Sequence, residues 1–383
     1  MFPMDNTKTK KLNFKALYRL CPGVHWLALV SALMILLHLA TRGNHRLMVW
    51  LSENLVRPVH GFLARLCSHA GFSVAELVIC LTVINVIVYI IFEIVRLIRR
   101  PEKLKRVYII IVSLLALLLF VYAGFCLLWG VYYYGDDFQA KSGLEAEGIS
   151  VEQLTEVTAY FAGLANDYST QVARDENGVY TADREAILAR SPEVFDAVTE
   201  KFPCLEGPGV AAKPFALSRL LSYLDFTGFF FPFTAEANVN VDFPPSLFAA
   251  TVAHELSHQR GVAKEQEANF VAVLASLEYG DADYCYSAAL LAYTHLGNAL
   301  YKADNEAWQQ VYGSLNRYVL ADFACNREYW KQFETPVQTV SNTVYEGFLQ
   351  SYDQKLGMRS YGACVDLLVN YYYDTALAHF GLA

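Results

Sequence analysis

His254, Glu255 and His258 form a His-Glu-x-x-His sequence, the part of this chain whose residue types and spacing best suit chemistry. Residues four apart share a face of a helix, so the two imidazoles can point at one metal ion with Glu255 beside them. Two histidine ligands and a carboxylate base are typical of a zinc hydrolase, which predicts Zn²⁺ as the cofactor. The alternative is two solvated histidines on a helix surface.

A third ligand is expected close by, because catalytic zinc normally has three protein ligands and one position for water. Gly261 is predicted to end the motif helix and turn the chain back. The next helix, which runs to Gly280, begins with Glu265 and Glu267. Their side chains point about 200° apart, so only one reaches the metal easily. We favour Glu265, with Asn269 one turn later to hydrogen-bond its carboxylate. Glu267 stays open as the alternative, since both acids also suit the first turn of a helix.

The run HELSHQRGVAKEQEANFVA, with FFFPFTAEANVN upstream and RSYG downstream, resembles a bacterial family of membrane-anchored proteins of unknown function that have zinc-peptidase-like domains. The resemblance covers roughly residues 100 to 380. The pattern Glu265-x-x-Ala268-Asn269 is also similar to the E-x-x-A-D/N helix of glutamate zincins, in which the first acidic residue binds the metal. The resemblance therefore implies a zincin fold with Glu265 as the third ligand, and it implies no particular substrate.

Three apolar runs, at about 24–40, 74–95 and 107–132, are long enough to be transmembrane helices. A signal peptide is a weaker interpretation of the first run, because further runs follow and no small-residue cleavage site stands out. The sequence thus predicts an integral membrane protein.

Basic residues predict the orientation of these helices, because cytoplasmic loops are enriched in Lys and Arg. Five precede the first run and six lie between Arg96 and Arg106, whereas the loop at 41–73 has four. Both clusters are therefore expected in the cytoplasm. Three spans then place the rest of the chain outside it, which predicts a membrane domain at 1–134 and an extracytoplasmic domain at 135–383.

The charge changes at the same boundary. Residues 1–134 hold 15 Lys and Arg against five Asp and Glu, while the remainder holds 15 against 33. The acidic part has no basic stripe, which argues against nucleic acid as a partner. Its four cysteines have no diagnostic spacing, so free thiols are as good an interpretation as a disulfide.

The part after residue 135 has mainly helical patterns. Ser150 and Gln153 predict a capping box that opens a helix to about residue 166, and 183–201 and 216–224 are predicted helices. Residues 229–233 and 237–241 favour strands. The fold class is therefore mainly α: three N-terminal transmembrane helices, then an α-rich zincin-like domain with a small β element.

One segment and one tyrosine are further candidates for a role at the site, whereas a third histidine has another interpretation. The segment 234–241 is predicted to be the edge strand that pairs with substrate backbone, as in zincins, or else a structural hairpin. Tyr361 is a candidate hydrogen-bond donor to an oxyanion. His295 lies in an apolar helix and is interpreted as a core histidine.

These patterns predict a membrane-anchored zinc metallopeptidase that cleaves a peptide or protein substrate, with Glu255 as general base. An intramembrane protease is disfavoured, because His254 lies over a hundred residues beyond the last apolar run. Two alternatives stay open. One is a cell-envelope binding or scaffold protein with a vestigial metal site, and the other is a non-peptide amidohydrolase.

Overall fold

A computed structural model of the chain describes residues 17–144, 148–351 and 361–381. The fold is mainly α, as predicted, with one three-stranded sheet. The chain forms two compact units, one of Met1–Gly43 with Val78–Leu128 and the other of Asn44–Leu77 with Trp129–Ala383.

The elements in chain order are α1 (Pro22–Thr41), α2 (His45–Leu51), α3 (Arg57–Ser68), α4 (Val74–Arg99), α5 (Lys103–Leu128), α6 (Phe138–Ser142), α7 (Val151–Ser169), α8 (Arg184–Arg190), α9 (Asp196–Lys201), β1 (Lys213–Phe215), α10 (Ser218–Tyr223), β2 (Gly228–Phe231), β3 (Glu236–Asn240), α11 (Phe248–Gln259), α12 (Glu265–Tyr279), α13 (Ala282–Ala303), α14 (Asn305–Gly313), α15 (Arg317–Lys331), α16 (Pro336–Ser351) and α17 (Tyr361–Phe380). A π-helical turn at Ser52–Val56 joins α2 to α3. Short 3₁₀ turns lie at Gly130–Tyr134, Ser191–Glu193, Pro203–Leu205 and Pro245–Leu247.

In its described residues, the first unit is dominated by membrane-capable helices. Helices α1, α4 and α5 are each long and apolar enough to cross a membrane, which confirms the three predicted spans. Helix α1 packs along α5, where the hydroxyl of Tyr108 lies 2.7 Å from Nε2 of His25. The third span ends at Leu128, four residues before the predicted end at 132, so the aromatic residues that follow belong to the second unit.

The second unit contains a segment that the sequence analysis assigned to the membrane domain. Residues 44–77, between the first two spans, are largely helical and pack with the C-terminal part of the chain. Arg57 donates hydrogen bonds to the backbone oxygens of Cys204, at 3.0 Å, and Glu206, at 2.7 Å. Glu53 accepts one from Lys141 at 2.6 Å. All three pairs are far apart in sequence, which is why periodicity alone did not reveal them.

The sheet has the strand order β1-β3-β2, with β3 parallel to β1 and antiparallel to β2. Every residue of β3 is buried. The prediction of an edge strand at 234–241 is therefore wrong, because β3 is the central strand of the sheet. The reason is β1, a three-residue strand too short to show an alternating pattern, which covers the other side of β3.

Helices surround this sheet and form most of the core. Helix α7 opens with the predicted Ser150–Gln153 capping box and packs along α13. The predicted helix at 183–201 is broken into α8, a 3₁₀ turn and α9, since Pro192 lacks the N–H needed for a continuous helix. Cysteines 204, 285, 325 and 364 are free thiols.

Candidate metal centre

The motif helix α11 is buried on nearly all sides and ends in a glycine turn, as predicted. Gly261 has φ +86°, and its N–H donates to the carbonyl of His258 at 2.9 Å. A Cβ on Gly261 would lie 2.8 Å from the ring of Tyr132. Both the left-handed backbone and the contact therefore require glycine at this position.

The glycine turn also orients one candidate ligand. It places the carbonyl of Val262 2.7 Å from Nδ1 of His258. A proton on Nδ1 then donates to that carbonyl, which leaves the lone pair of Nε2 free for a metal. The ring of Trp129 packs edge-on against His258, with centroids 5.8 Å apart. The His258 imidazole is thus held in one tautomer and one orientation.

The structure brings the three predicted ligands together. Nε2 of His254 lies 3.1 Å from Nε2 of His258 and 3.2 Å from Oε2 of Glu265. The remaining side of this triangle, from His258 to Glu265, is 3.5 Å. A tetrahedral zinc ion with ligands at 2.0–2.1 Å separates its donor atoms by about 3.3–3.4 Å. The donor spacing therefore fits a small tetrahedral cation.

The charges of these three residues favour a positive ion at the same point. Burial raises the pKa of the Glu265 carboxyl, but the imidazoles of His258 and His254 outweigh it and hold that pKa well below its usual range. Burial on its own would lower the pKa of the His258 imidazole. The nearby Glu265 carboxylate acts in the opposite direction, and the net effect is a raised pKa. The Glu265 carboxylate thus favours a positive charge beside it, which a bound cation can supply.

The second oxygen of the Glu265 carboxylate has its own partner. The hydroxyl of Tyr345, on α16, donates to Oε1 of Glu265 at 2.8 Å. Burial and the Glu265 charge raise the pKa of Tyr345 well above its usual value, so the hydroxyl stays a donor. The hydrogen bond predicted from Asn269 to Glu265 is not present among the described contacts, and Tyr345 takes that role instead.

Glu255 is in the position of a proton acceptor beside the ligands. Its side chain is 4% exposed, and its Oε2 has no hydrogen-bond partner among the described residues. Burial raises the pKa of this carboxyl to about 7, although His254 and His258 act in the opposite direction. A Cβ on Gly228 would lie 2.7 Å from Oε1 of Glu255. Glycine in β2 therefore makes the space that this carboxylate occupies.

Glu267 points into a different part of the protein. It is fully buried and accepts hydrogen bonds from the backbone N–H of Phe138 at 2.9 Å and from Nε2 of Gln139 at 3.0 Å. These bonds hold the start of α6 against α12. The two glutamates therefore face different ways, as their helical spacing predicts.

Two further residues were singled out in the sequence, His295 and Tyr361. His295 is buried on α13, and burial, followed by the charge of His254, lowers its pKa to about 4. It is a neutral core histidine near the ligands. Tyr361 begins α17, and its side chain lies outside the described residues.

Sequence reasoning missed Trp129, Tyr133, Gly228 and Tyr345. Nε1 of Trp129 donates to the hydroxyl of Tyr133 at 3.1 Å, and burial together with the Glu265 charge raises the pKa of Tyr133. The sequence analysis had placed Trp129 inside the third predicted span and Tyr133 one residue beyond its end. The enrichment of Trp and Tyr where a span leaves the bilayer was the available signal.

Comparison with known protein families gives one match. A family model described as "Protein of unknown function (DUF3810)" matches residues 51–369. No curated protein and no solved structure matches the chain. The matched range includes both the motif and most of the 44–77 segment.

Proposed function

Since the chain belongs to the DUF3810 family of proteins of unknown function, we propose from its own site that it is a membrane-anchored zinc metallopeptidase. The observation that carries the proposal is the triangle of donor atoms from His254, His258 and Glu265. Beside it lies Glu255, whose Oε2 has no hydrogen-bond partner among the described residues. A site that only stabilised the fold would need a fourth protein ligand and no base.

Each residue has a defined role in this proposal. His254, His258 and Glu265 would hold the zinc ion, which would supply Lewis acidity to lower the pKa of water to near 7 and to polarise the scissile carbonyl. Glu255 accepts the proton of the attacking water and passes it to the leaving amine. Tyr345 and the Val262 carbonyl keep Glu265 and His258 in the orientation that the metal requires.

The position of β2 at the edge of the sheet is the reason for proposing a polypeptide substrate. Asn240 N–H donates to the Thr227 carbonyl at 2.9 Å, which sets the alternation of the β2–β3 pair. That alternation directs the N–H and C=O groups of Gly228 and Phe230 away from β3. Gly228 adjoins Glu255, so an extended peptide added to this edge lies next to the base.

The proposed domain lies outside the cytoplasm. Residues 44–77 and 129–383 pack as one unit, which supports a common side of the membrane for both. Three spans are consistent with this, because an odd number of crossings separates the N-terminus from residue 129. The basic clusters on either side of the first two spans favour the cytoplasm for the opposite face.

The proposal is tested with the full-length chain, purified in detergent without chelators, and its Glu255→Gln variant. We expect about one zinc per chain in both proteins by elemental analysis. Hydrolysis of a denatured protein or a peptide library should fall by a factor of roughly 10² to 10⁴ in the variant, because only the proton acceptor is removed. Zinc without hydrolysis in the wild type would favour the scaffold alternative, and a metal-free wild type would exclude the zinc site.

A further inference from the structure

The segment between the first two spans has one buried face and one exposed face. One face, which includes Met48, Ser52, Val56, His60 and Ala64, is buried in the second unit. The other carries five large apolar side chains that are each half or more exposed: Trp50, Leu55, Phe62, Leu66 and Phe72. A soluble helix normally places polar residues on the face away from its core. The outer face of this segment therefore requires an apolar neighbour.

The chain itself indicates what that neighbour is. The segment runs from the end of α1, at Thr41, to the start of α4, at Val74, and both helices are long and apolar enough to cross a membrane. Where these two helices cross a bilayer, both ends of the segment lie near its surface. A helical segment tethered in this way, with one row of exposed aromatic and aliphatic residues, is typical of a helix lying in the membrane interface.

Hydrogen bonds tie a second exposed apolar group to the start of α4. The two carboxylate oxygens of Glu76 accept the N–H groups of Ala216 and Leu217, both at 2.8 Å. Leu217 and Leu220 follow, both exposed, and one helical turn apart. Nζ of Lys213 donates to the carbonyls that end α3, including that of Cys67 at 2.6 Å. The start of α10 is therefore held beside the first turn of α4, a helix long and apolar enough to cross a membrane.

From α10 the apolar surface continues to the metal centre. Leu224 accepts a hydrogen bond from Ser341 of α16 at 2.9 Å, and both line an open groove of about 680 Å³. The groove also contains three exposed valines of α16: Val337, Val340 and Val344. Tyr345 forms one wall of the groove and donates to Glu265 on its other side. A series of contacts thus connects the first turn of α4 to Glu265, a candidate metal ligand.

We propose that this apolar face rests on the phospholipid bilayer and places the metal centre at the lipid–water interface. We define the apolar face as Trp50, Leu55, Phe62, Leu66, Phe72, Leu217, Leu220, Val337, Val340 and Val344. The bilayer covers side chains that the second unit leaves in water. This docking does not depend on the chemistry of the site. If the proposed function holds, its substrates are polypeptides that leave the bilayer next to the groove.

The docking is tested by replacing Phe62 or Leu220, one at a time, with the photo-crosslinking residue benzoyl-phenylalanine. The full-length chain is reconstituted in phosphatidylethanolamine–phosphatidylglycerol vesicles, irradiated, and measured by intact mass. Both positions are exposed, so the fold tolerates the larger ring. Tyr301, similarly exposed on α13 and outside the apolar face, is the matched control.

We expect adducts of one phospholipid mass at positions 62 and 220 and none at position 301. Adducts between two copies of the chain would show that the face is a dimer interface. Absence of any adduct at positions 62 and 220 would show that water covers it, and either result overturns the proposal. None of these readouts requires metal or turnover.

The substrate class has a separate readout. One peptide sequence is supplied either free in solution or fused to a transmembrane anchor in the same vesicles. We expect at least a tenfold higher cleavage rate for the anchored form. Lipid adducts without cleavage of either form would contradict the peptidase and leave the docking intact, whereas equal cleavage with lipid adducts would contradict only the substrate class.

Discussion

The hydroxyl of Tyr345 donates a hydrogen bond to Oε1 of Glu265, while Oε2 of the same carboxylate faces His254 and His258. One carboxylate thus joins the candidate metal centre to α16, a helix that begins 71 residues further along the chain. Because Tyr345 also forms a wall of the apolar groove, the geometry of the third ligand depends on the position of α16.

Tyr345→Phe should weaken zinc binding by a factor of about 10 to 100, because it removes the hydrogen bond that orients the Glu265 carboxylate and keeps the ring. The measurement is the zinc Kd by competition with a chromogenic chelator. Tyr312→Phe, which alters an exposed tyrosine on α14, is the control and should leave the Kd unchanged. Equal Kd values for Tyr345→Phe and the wild type would mean that the hydroxyl does not position the ligand.

Glu265→Ala and Glu267→Ala should separate zinc binding from stability. Glu265→Ala leaves two histidines and water, so zinc content should fall sharply. Glu267→Ala should retain zinc but lower the free energy of unfolding by about 1–3 kcal/mol, since Phe138 and Gln139 lose a buried acceptor. Zinc content and thermal unfolding measure the two effects. The reverse pattern would assign the third ligand to Glu267.

Gly228→Ala should reduce turnover at unchanged zinc content. The added Cβ would meet Oε1 of Glu255 at 2.7 Å and the Asn238 carbonyl at 2.9 Å, so the base or the strand must move. Gly163→Ala is the matched control, because a Cβ at Gly163 of α7 meets no atom within 4 Å and helical alanine is favoured over glycine. Turnover in Gly228→Ala equal to that of the control would argue against a positioning role for Gly228.

The orientation of the chain in the membrane can be measured with a reporter fusion. A reporter that is active only in the cytoplasm, fused after Ala383, should stay silent. The same reporter in the basic segment between α4 and α5, at residues 100–102, should be active and serves as the control. A strong signal from the fusion after Ala383 would reverse the proposed topology.

Local patterns were enough to predict part of this structure. The three spans, the Ser150 capping box and the Gly261 turn each depend on residues close in sequence, and all three are present. The spacing of His254, His258 and Glu265 likewise involves only two adjoining helices, and the structure places them side by side.

What the sequence did not predict depends on contacts between distant segments. Strand β3 became central only through pairing with β1, which has no pattern of its own. Tyr345 reaches Glu265 across 80 residues, and Arg57 reaches Cys204 across 147. Such pairs leave no periodic signal in a single sequence.

The division of the second unit between Asn44–Leu77 and Trp129–Ala383 also sets an order of events during biosynthesis. The ribosome makes α2 and α3 first, and their packing partners in Trp129–Ala383 only after two membrane-capable helices have followed. The buried face of α2 and α3 can therefore pack only when long-range contacts form, and contacts of this kind form most slowly. A fragment that begins after α5 would lack this segment, and Lys213 would lose the carbonyls of Cys67, Ala70 and Phe72 that it binds. Assembly of the second unit, which contains the candidate metal ligands, is thereby coupled to synthesis of the two membrane-capable helices that divide it.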